Sequence, residues 1–230
     1  MSIVKNLARV REQISAACAK TGRKESEVAL MAVSKTHPAA AVEEAYAAGQ
    51  RLFGENRVQE WEAKSAGLSL PDLDMHLIGP LQSNKTNKAA AIFQAIEAVD
   101  SLKIAQRLDK AAAELGKKLP ILIEVKLSHE ESKHGLAPED LPALLEALPT
   151  LGSIVPVGLM TVPPLDAQQE AARPYFRRLR ELRDQAQAKI ASITQLSMGM
   201  SHDYTVAIEE GSTCVRVGTA IFGKREYPQP

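Results

Sequence analysis

Short apolar runs rich in Val, Ile, Leu and Met alternate along the chain with longer segments whose apolar residues recur every three or four positions. The short runs predict strands at Val28–Lys35, Arg51–Glu55, Met75–Gly79, Ala95–Val99, Ile121–Leu127, Val155–Thr161, Gln195–Met200 and Val215–Phe222. Most are continuous apolar stretches rather than strict alternations, the pattern of strands covered on both faces. The longer segments predict helices with readable punctuation. Pro38 stands near a first helical position and Gly49 just past that helix's end. Ser83 is read as a cap before "NKTNKAAAIFQ", and Pro138 opens the pattern "EDLPALLEAL". The longest helical pattern, "AQQEAARPYFRRLRELRDQAQAKIA", predicts a buried stripe of Phe176, Leu179 and Leu182. The opening "MSIVKNLARVREQISAACAK" has helical spacing too.

Strands followed by helices in this order build a parallel sheet. Eight such units predict a single α/β domain over residues 1–230, a (β/α)₈ TIM-type barrel with an added N-terminal helix. An open doubly wound sheet competes, but typically uses five or six strands. No Gly-, Ser- or Pro-rich linker, low-complexity tract or repeat divides the chain.

Composition narrows the partners. A hydrophobic share of 45% supports a large core, and 28 basic residues balance 28 acidic ones, so nothing suggests nucleic acid. The N-terminus lacks the apolar core of a signal peptide, and no apolar run reaches membrane-spanning length. The expectation is a cytoplasmic protein without a membrane partner. Cys18 and Cys214 are too few and too far apart for a disulfide framework or a zinc site, and are read as small core residues.

In a barrel, chemistry gathers at the C-terminal strand ends, with phosphate commonly after strands seven and eight. Strand one ends in "VSK", placing Lys35 where a buried strand gives way to a loop. Strands seven and eight carry "SMGMSHD" and "VRVGT", whose small and hydroxyl residues can cradle an anion or simply cap helices. Arg216 shares a strand face with Gly218 and needs an anionic or acceptor partner, which a structural ion pair would also satisfy. An amine, a phosphate cradle and a buried arginine together suit pyridoxal phosphate. A lysine-dependent aldolase would need the same amine and phosphate site, plus acid–base carboxylates that strands one, seven and eight do not end in.

The ordered set "AVSKTHP", "FGENRVQE", "HLIGPLQSNK", "GLMTV" and "LSMGMSHDYTVAIEEGSTCVRVGTAIFG" resembles the pyridoxal phosphate homeostasis protein family, itself similar to the N-terminal barrel domain of alanine racemase. The resemblance runs from about residue 5 to residue 225. Pro80 and the tail "KREYPQP" match it less closely. It implies pyridoxal 5'-phosphate as cofactor, with Lys35 forming the internal aldimine and Asn56 near the ring. His76 would belong to the strand ends around the cofactor. Ser201, Gly218 and Thr219 would hold the phosphate with the backbone near Met200, and Arg216 would face the pyridine nitrogen.

A guanidinium donates and does not accept, so it disfavours a proton on that nitrogen and leaves a poorer electron sink. Two-base racemisation also needs a second base, which the racemases take from a tyrosine of a separate domain. Such a domain is not expected here, and Tyr204, nearest to a motif, falls on the helix after strand seven. The expected function is to bind, buffer and deliver pyridoxal phosphate, with no strong catalytic activity of its own. The alternatives are a low-activity amino-acid racemase and a regulatory protein touching other vitamin B6 enzymes through the basic helix "ARPYFRRLRELRD". Apo-enzymes that depend on the cofactor are the expected protein partners, and the missing racemase domain points to a monomer. His129 and His134 are read as polar loop residues rather than metal ligands, and Lys133 as exposed. Trp61 and Phe53 are read as core.

Overall fold

A computed structural model describes residues 2–128, 134–164 and 169–223. Eight strands close into a barrel in sequential order, every neighbouring pair parallel. They are β1 (Ala29–Val33), β2 (Leu52–Glu55), β3 (Asp74–Leu77), β4 (Ala95–Val99), β5 (Leu119–Glu124), β6 (Ile154–Met160), β7 (Gln195–Ser197) and β8 (Cys214–Val217). Helices α2 (Ala39–Ala47), α3 (Val58–Ser65), α4 (Thr86–Ile92), α5 (Leu102–Glu114), α6 (Leu141–Ala147), α7 (Arg173–Lys189), α8 (Tyr204–Glu209) and α9 (Thr219–Phe222) follow the strands in turn. This is the TIM-type barrel that the alternation of patterns predicts.

The core lies between strands and helices. Phe53, Met75, Leu77, Ile96, Ile121 and Leu196 turn outward to meet helix residues such as Leu108, Phe176 and Leu179. Phe176, Leu179 and Leu182 are buried as the periodicity of α7 requires, with Ala186 extending the stripe. Trp61 and Phe53 are core residues, and both cysteines are buried and free.

Helix α1 (Ile3–Lys20) covers the seam where the short α8 and α9 leave β8 and β1 thinly dressed. It buries Leu7, Val10, Ile14, Ala17 and Cys18, the large aliphatic ones contributing about 1.5–3 kcal/mol each. Asn6 Nδ2 donates to the Ile221 carbonyl at 2.8 Å, and the Tyr204 hydroxyl donates to Gln13. Tyr204 therefore lies on the outside of the barrel, under α1.

Two expectations are corrected. The run Val215–Phe222 is a strand only to Val217, and Thr219–Phe222 is α9. The pairing of β8 with β1 ends at Ala32↔Val217, so beyond it the chain recovers its backbone bonds by coiling. Ser83 caps no helix: it begins a 3₁₀ turn, Ser83–Lys85, whose carbonyl accepts from Thr86 and Arg107. Among the described residues, no helix is long and apolar enough to cross a membrane.

Candidate functional site

A cavity of about 420 Å³ opens at the C-terminal ends of the strands. Seven of the eight residues singled out in the sequence line it: Lys35, Asn56, Met200, Ser201, Arg216, Gly218 and Thr219. His76 does not; it points into the barrel one layer below. Glu124, Lys126, Ser128, His37 and His202 line the cavity as well, and the sequence reading passed over them.

Lys35 stands two residues past the end of β1, and both its neighbours are clamped. The Ser34 hydroxyl donates to Glu55 Oε1 at 2.7 Å, and Lys64 Nζ donates to the Ser34 carbonyl at 3.0 Å. Lys64 also bridges Glu55 at 2.6 Å, with Glu55 fully buried. Burial pushes the Glu55 carboxyl up, against the pull of Lys64 and Ser34. On the other side Thr36 adopts φ 67°, and its N–H donates to Glu60 Oε1 at 2.5 Å. An L-residue enters the left-handed region at a cost, which the Glu60 bond and the Glu55–Lys64 brace offset. The lysine stem is thereby mounted on a fixed stretch of backbone.

The loop after β7 meets the start of α9 along one edge of the cavity. Gly199 sits at φ 96°, and a Cβ there would stand 2.6 Å from Ala207 Cβ, so only glycine permits this turn onto α8. Met200 N–H then donates to Asp203 Oδ1 at 2.5 Å. Ser201 Oγ accepts from the Ala220 N–H at 3.3 Å, joining the two loops. Across the cavity Gly79 holds Asn56 close: a Cβ at Gly79 would come within 2.4 Å of the Asn56 carbonyl oxygen.

Arg216 is nearly fully buried and tied from below. Its Nη1 donates to Ser197 Oγ at 2.7 Å and its Nη2 to the Thr161 carbonyl at 2.8 Å. Ser197 Oγ donates to Glu97 Oε2 at 2.5 Å, and Glu97 Oε1 meets His76 Nδ1 at 2.7 Å. His76 Nε2 reaches Asp74 Oδ1 at 3.2 Å, where the barrel meets solvent again. A polar ladder thus runs through the barrel interior from Asp74 to the cavity floor. Burial works against a charged His76, but its bonds to Asp74 and Glu97 push it up to about 9. Burial likewise works against a charged Glu97, yet His76, Arg216 and Ser197 hold its carboxyl below the usual range. The partner that Arg216 was expected to need is therefore inside the protein, reached through Ser197.

Glu124 is the contrast. It follows Leu122 up the inner face of β5, and Leu122 packs inside the barrel with Ala98 and Met160. Burial pushes the Glu124 carboxyl up to about 7; Arg216 opposes this and Asp100 adds to it.

The family model for the alanine racemase N-terminal domain matches residues 6–226. The pyridoxal phosphate homeostasis protein of Pseudomonas aeruginosa is 48% identical over 229 residues, spanning 100% of this chain and 98% of that protein. Its counterpart in Aquifex aeolicus is 43% identical over 228 residues, 99% of this chain and 100% of that one. The chain belongs to the pyridoxal phosphate homeostasis protein family. Among solved structures, PipY of Synechococcus elongatus with pyridoxal phosphate bound is 45% identical, with a TM-score of 0.87, covering 96% of this chain and 100% of that one. Alanine racemase of Clostridium difficile, 17% identical with a TM-score of 0.72 over 99% of this chain and 56% of its own, shares the fold.

His129 and Lys133 lie outside the described residues. His134 lines the cavity, and no group of three or more His, Cys, Asp or Glu among the described residues could hold a metal ion. Glu97 and Glu124 were each flanked by apolar residues within a strand pattern, "AIEAV" and "LIEV", and that flanking is the signal that could have found them.

Proposed function

We propose that this protein binds pyridoxal 5'-phosphate through a Schiff-base bond to Lys35 and serves in pyridoxal phosphate homeostasis, holding the cofactor and delivering it to apo-enzymes. The observation that carries the reading is the convergence of a mounted amine, a buried guanidinium and hydroxyl-bearing loops on one cavity. The donor set suits the cofactor: Ser201 and Thr219 hydroxyls for the phosphate, Arg216 for the ring nitrogen, and Lys35 for the aldehyde. Asn56 and Met200 line the same cavity. Bound pyridoxal phosphate would supply a reactive aldehyde and an electron-withdrawing ring. The protein's part is to fix the amine, keep a donor rather than an acid beside the ring nitrogen, and enclose the aldehyde.

His76 has a different part in this reading. It supports Arg216 from below through Glu97 and Ser197 and does not meet the cofactor. A weak amino-acid racemase is the second reading, and Glu124 is the observation in its favour, a cavity carboxyl able to exchange a proton near neutrality. Tyr204 does not serve it, being buried under α1.

The test is spectroscopic. Purified protein given pyridoxal phosphate should show the visible band of a lysine Schiff base, and Lys35→Ala should lack it. A band that survives in Lys35→Ala would remove the lysine from the reading. Alanine, serine and other L-amino acids assayed in the same cuvette for their D-enantiomers separate carrier from racemase.

A further inference from the structure

The cavity has two walls. Lys35, Ser201, Arg216, Gly218 and Thr219 come from β1, β7 and β8 and the loops that follow them, and these strands are neighbours in the closed sheet. β5 stands four places from β1, across the barrel. Its end contributes Glu124, Lys126 and Ser128, and none of these is needed to hold pyridoxal phosphate in the reading above.

Glu124 is the only carboxylate among the described residues lining the cavity. It is 8% exposed, and burial, Arg216 and Asp100, with no hydrogen bond among the causes, set the state of its carboxyl. Ser128, 6% exposed, has a buried hydroxyl with no partner among the described residues. A buried polar group left unsatisfied costs about 1–3 kcal/mol, so the Ser128 hydroxyl, beside a carboxylate that faces the cavity, calls for an explanation. Charge balance does not provide it. Arg216 attracts Glu124 only at a distance, its hydrogen bonds going to Ser197 and Thr161. Asp100 at the end of β4 repels it, and β6 brings only apolar Met160 and Val162. Lys126 and His134 from the β5 side and His202 from the far wall line the same cavity.

A carboxylate accepts hydrogen bonds, and a hydroxyl can accept another, so the missing ligand is a donor. We infer that the β5 wall is a binding place for a primary ammonium group, with Glu124 as its acceptor and Ser128 as a second contact. A free amino acid or a protein lysine side chain would bring the same group. This deepens the carrier reading and rests on it, because a primary amine is the class of molecule that takes an aldehyde cofactor from a lysine. A carboxyl that ionises near neutrality fits the task, being charged enough to hold the ammonium above about pH 7 and able to receive its proton.

Carboxyl carbon-13 NMR on the cofactor-free protein tests this. One glutamate resonance, absent from Glu124→Gln, should titrate near neutrality. Ethylammonium chloride should shift it and equal sodium chloride should not. Nα-acetyl-lysinamide in a parallel arm separates the sources: a shift with it admits protein lysines, and a shift with ethylammonium alone restricts the site to small amines. In the loaded protein, release driven by ethylamine should slow about tenfold in Glu124→Gln and less in Ser128→Ala. Release driven by hydroxylamine, uncharged near neutrality, should be unchanged. Identical shifts with both salts, or equal slowing with both amines, would overturn the inference. Failure of the Lys35 band in the wild type is a separate result, and it would defeat the carrier reading instead.

Discussion

Two carboxylates stand inside the same barrel, and their surroundings are opposite. Glu97 on β4 has His76 on one oxygen and Ser197 on the other, with Arg216 beyond. Glu124 on β5 is nearly as buried, and no hydrogen bond is among the causes that set the state of its carboxyl. The first stays ionised and the second is pushed up to about 7, although burial acts on both in the same direction. The difference is the number of donors supplied. A buried charge given all its partners becomes part of the frame, and one left without them is pushed toward its neutral form.

The largest effect should come from breaking the satisfied member. Glu97→Ala leaves His76 and Arg216 without their shared counter-charge, and stability should fall by about 3–5 kcal/mol in denaturant melts. Cofactor affinity should fall with it as Arg216 loses its support. A loss under about 1 kcal/mol would mean that water replaces Glu97 without penalty.

Glu124→Gln should act in the opposite sense. Its folded value, about 7 against an ordinary 4.5, lies above that of the unfolded chain. The stability linked to its proton is therefore present below about pH 4.5 and lost as pH rises through 7. The glutamine variant should be as stable as the wild type in acid and up to about 3 kcal/mol more stable at alkaline pH. Melts at both ends of the range check this.

His76 is also raised, to about 9 from 6.5, so its contribution is complete below about pH 6.5 and fades through 9. Wild-type stability should drop by about 2–3 kcal/mol over that window, and His76→Gln should flatten the profile. Ser128→Ala is the smallest change. Removing an unsatisfied hydroxyl should leave stability within about 1 kcal/mol of the wild type, on the favourable side.

The order of the barrel was legible because parallel strands covered on both faces are written as apolar runs between amphipathic segments. Strand ends were not. In "VRVGTAIF" the last four residues are apolar enough for strand or helix, and periodicity over one turn cannot separate them. The Lys35 side of the site was legible because its residues fall in recognisable segments at strand ends. The ladder was not, since Asp74, His76, Glu97, Ser197 and Arg216 lie on four strands and meet only when the barrel closes. The brace from Glu55 to Lys64 was hidden for a similar reason: nine residues apart in sequence, the two meet only when α3 packs against β2.

The closure of the barrel sets a schedule. β1 bonds to β8, with Met31 opposite Arg216, so the amine that follows β1 and the guanidinium on β8 are joined by pairing of the first strand with the last. Contacts of such high sequence separation form late, after the greater part of the chain entropy has been lost. A nascent chain therefore carries Lys35 out of the ribosome long before Arg216 exists to share its cavity. The amine is exposed early, and the cavity it shares with Arg216 closes only with the final strand.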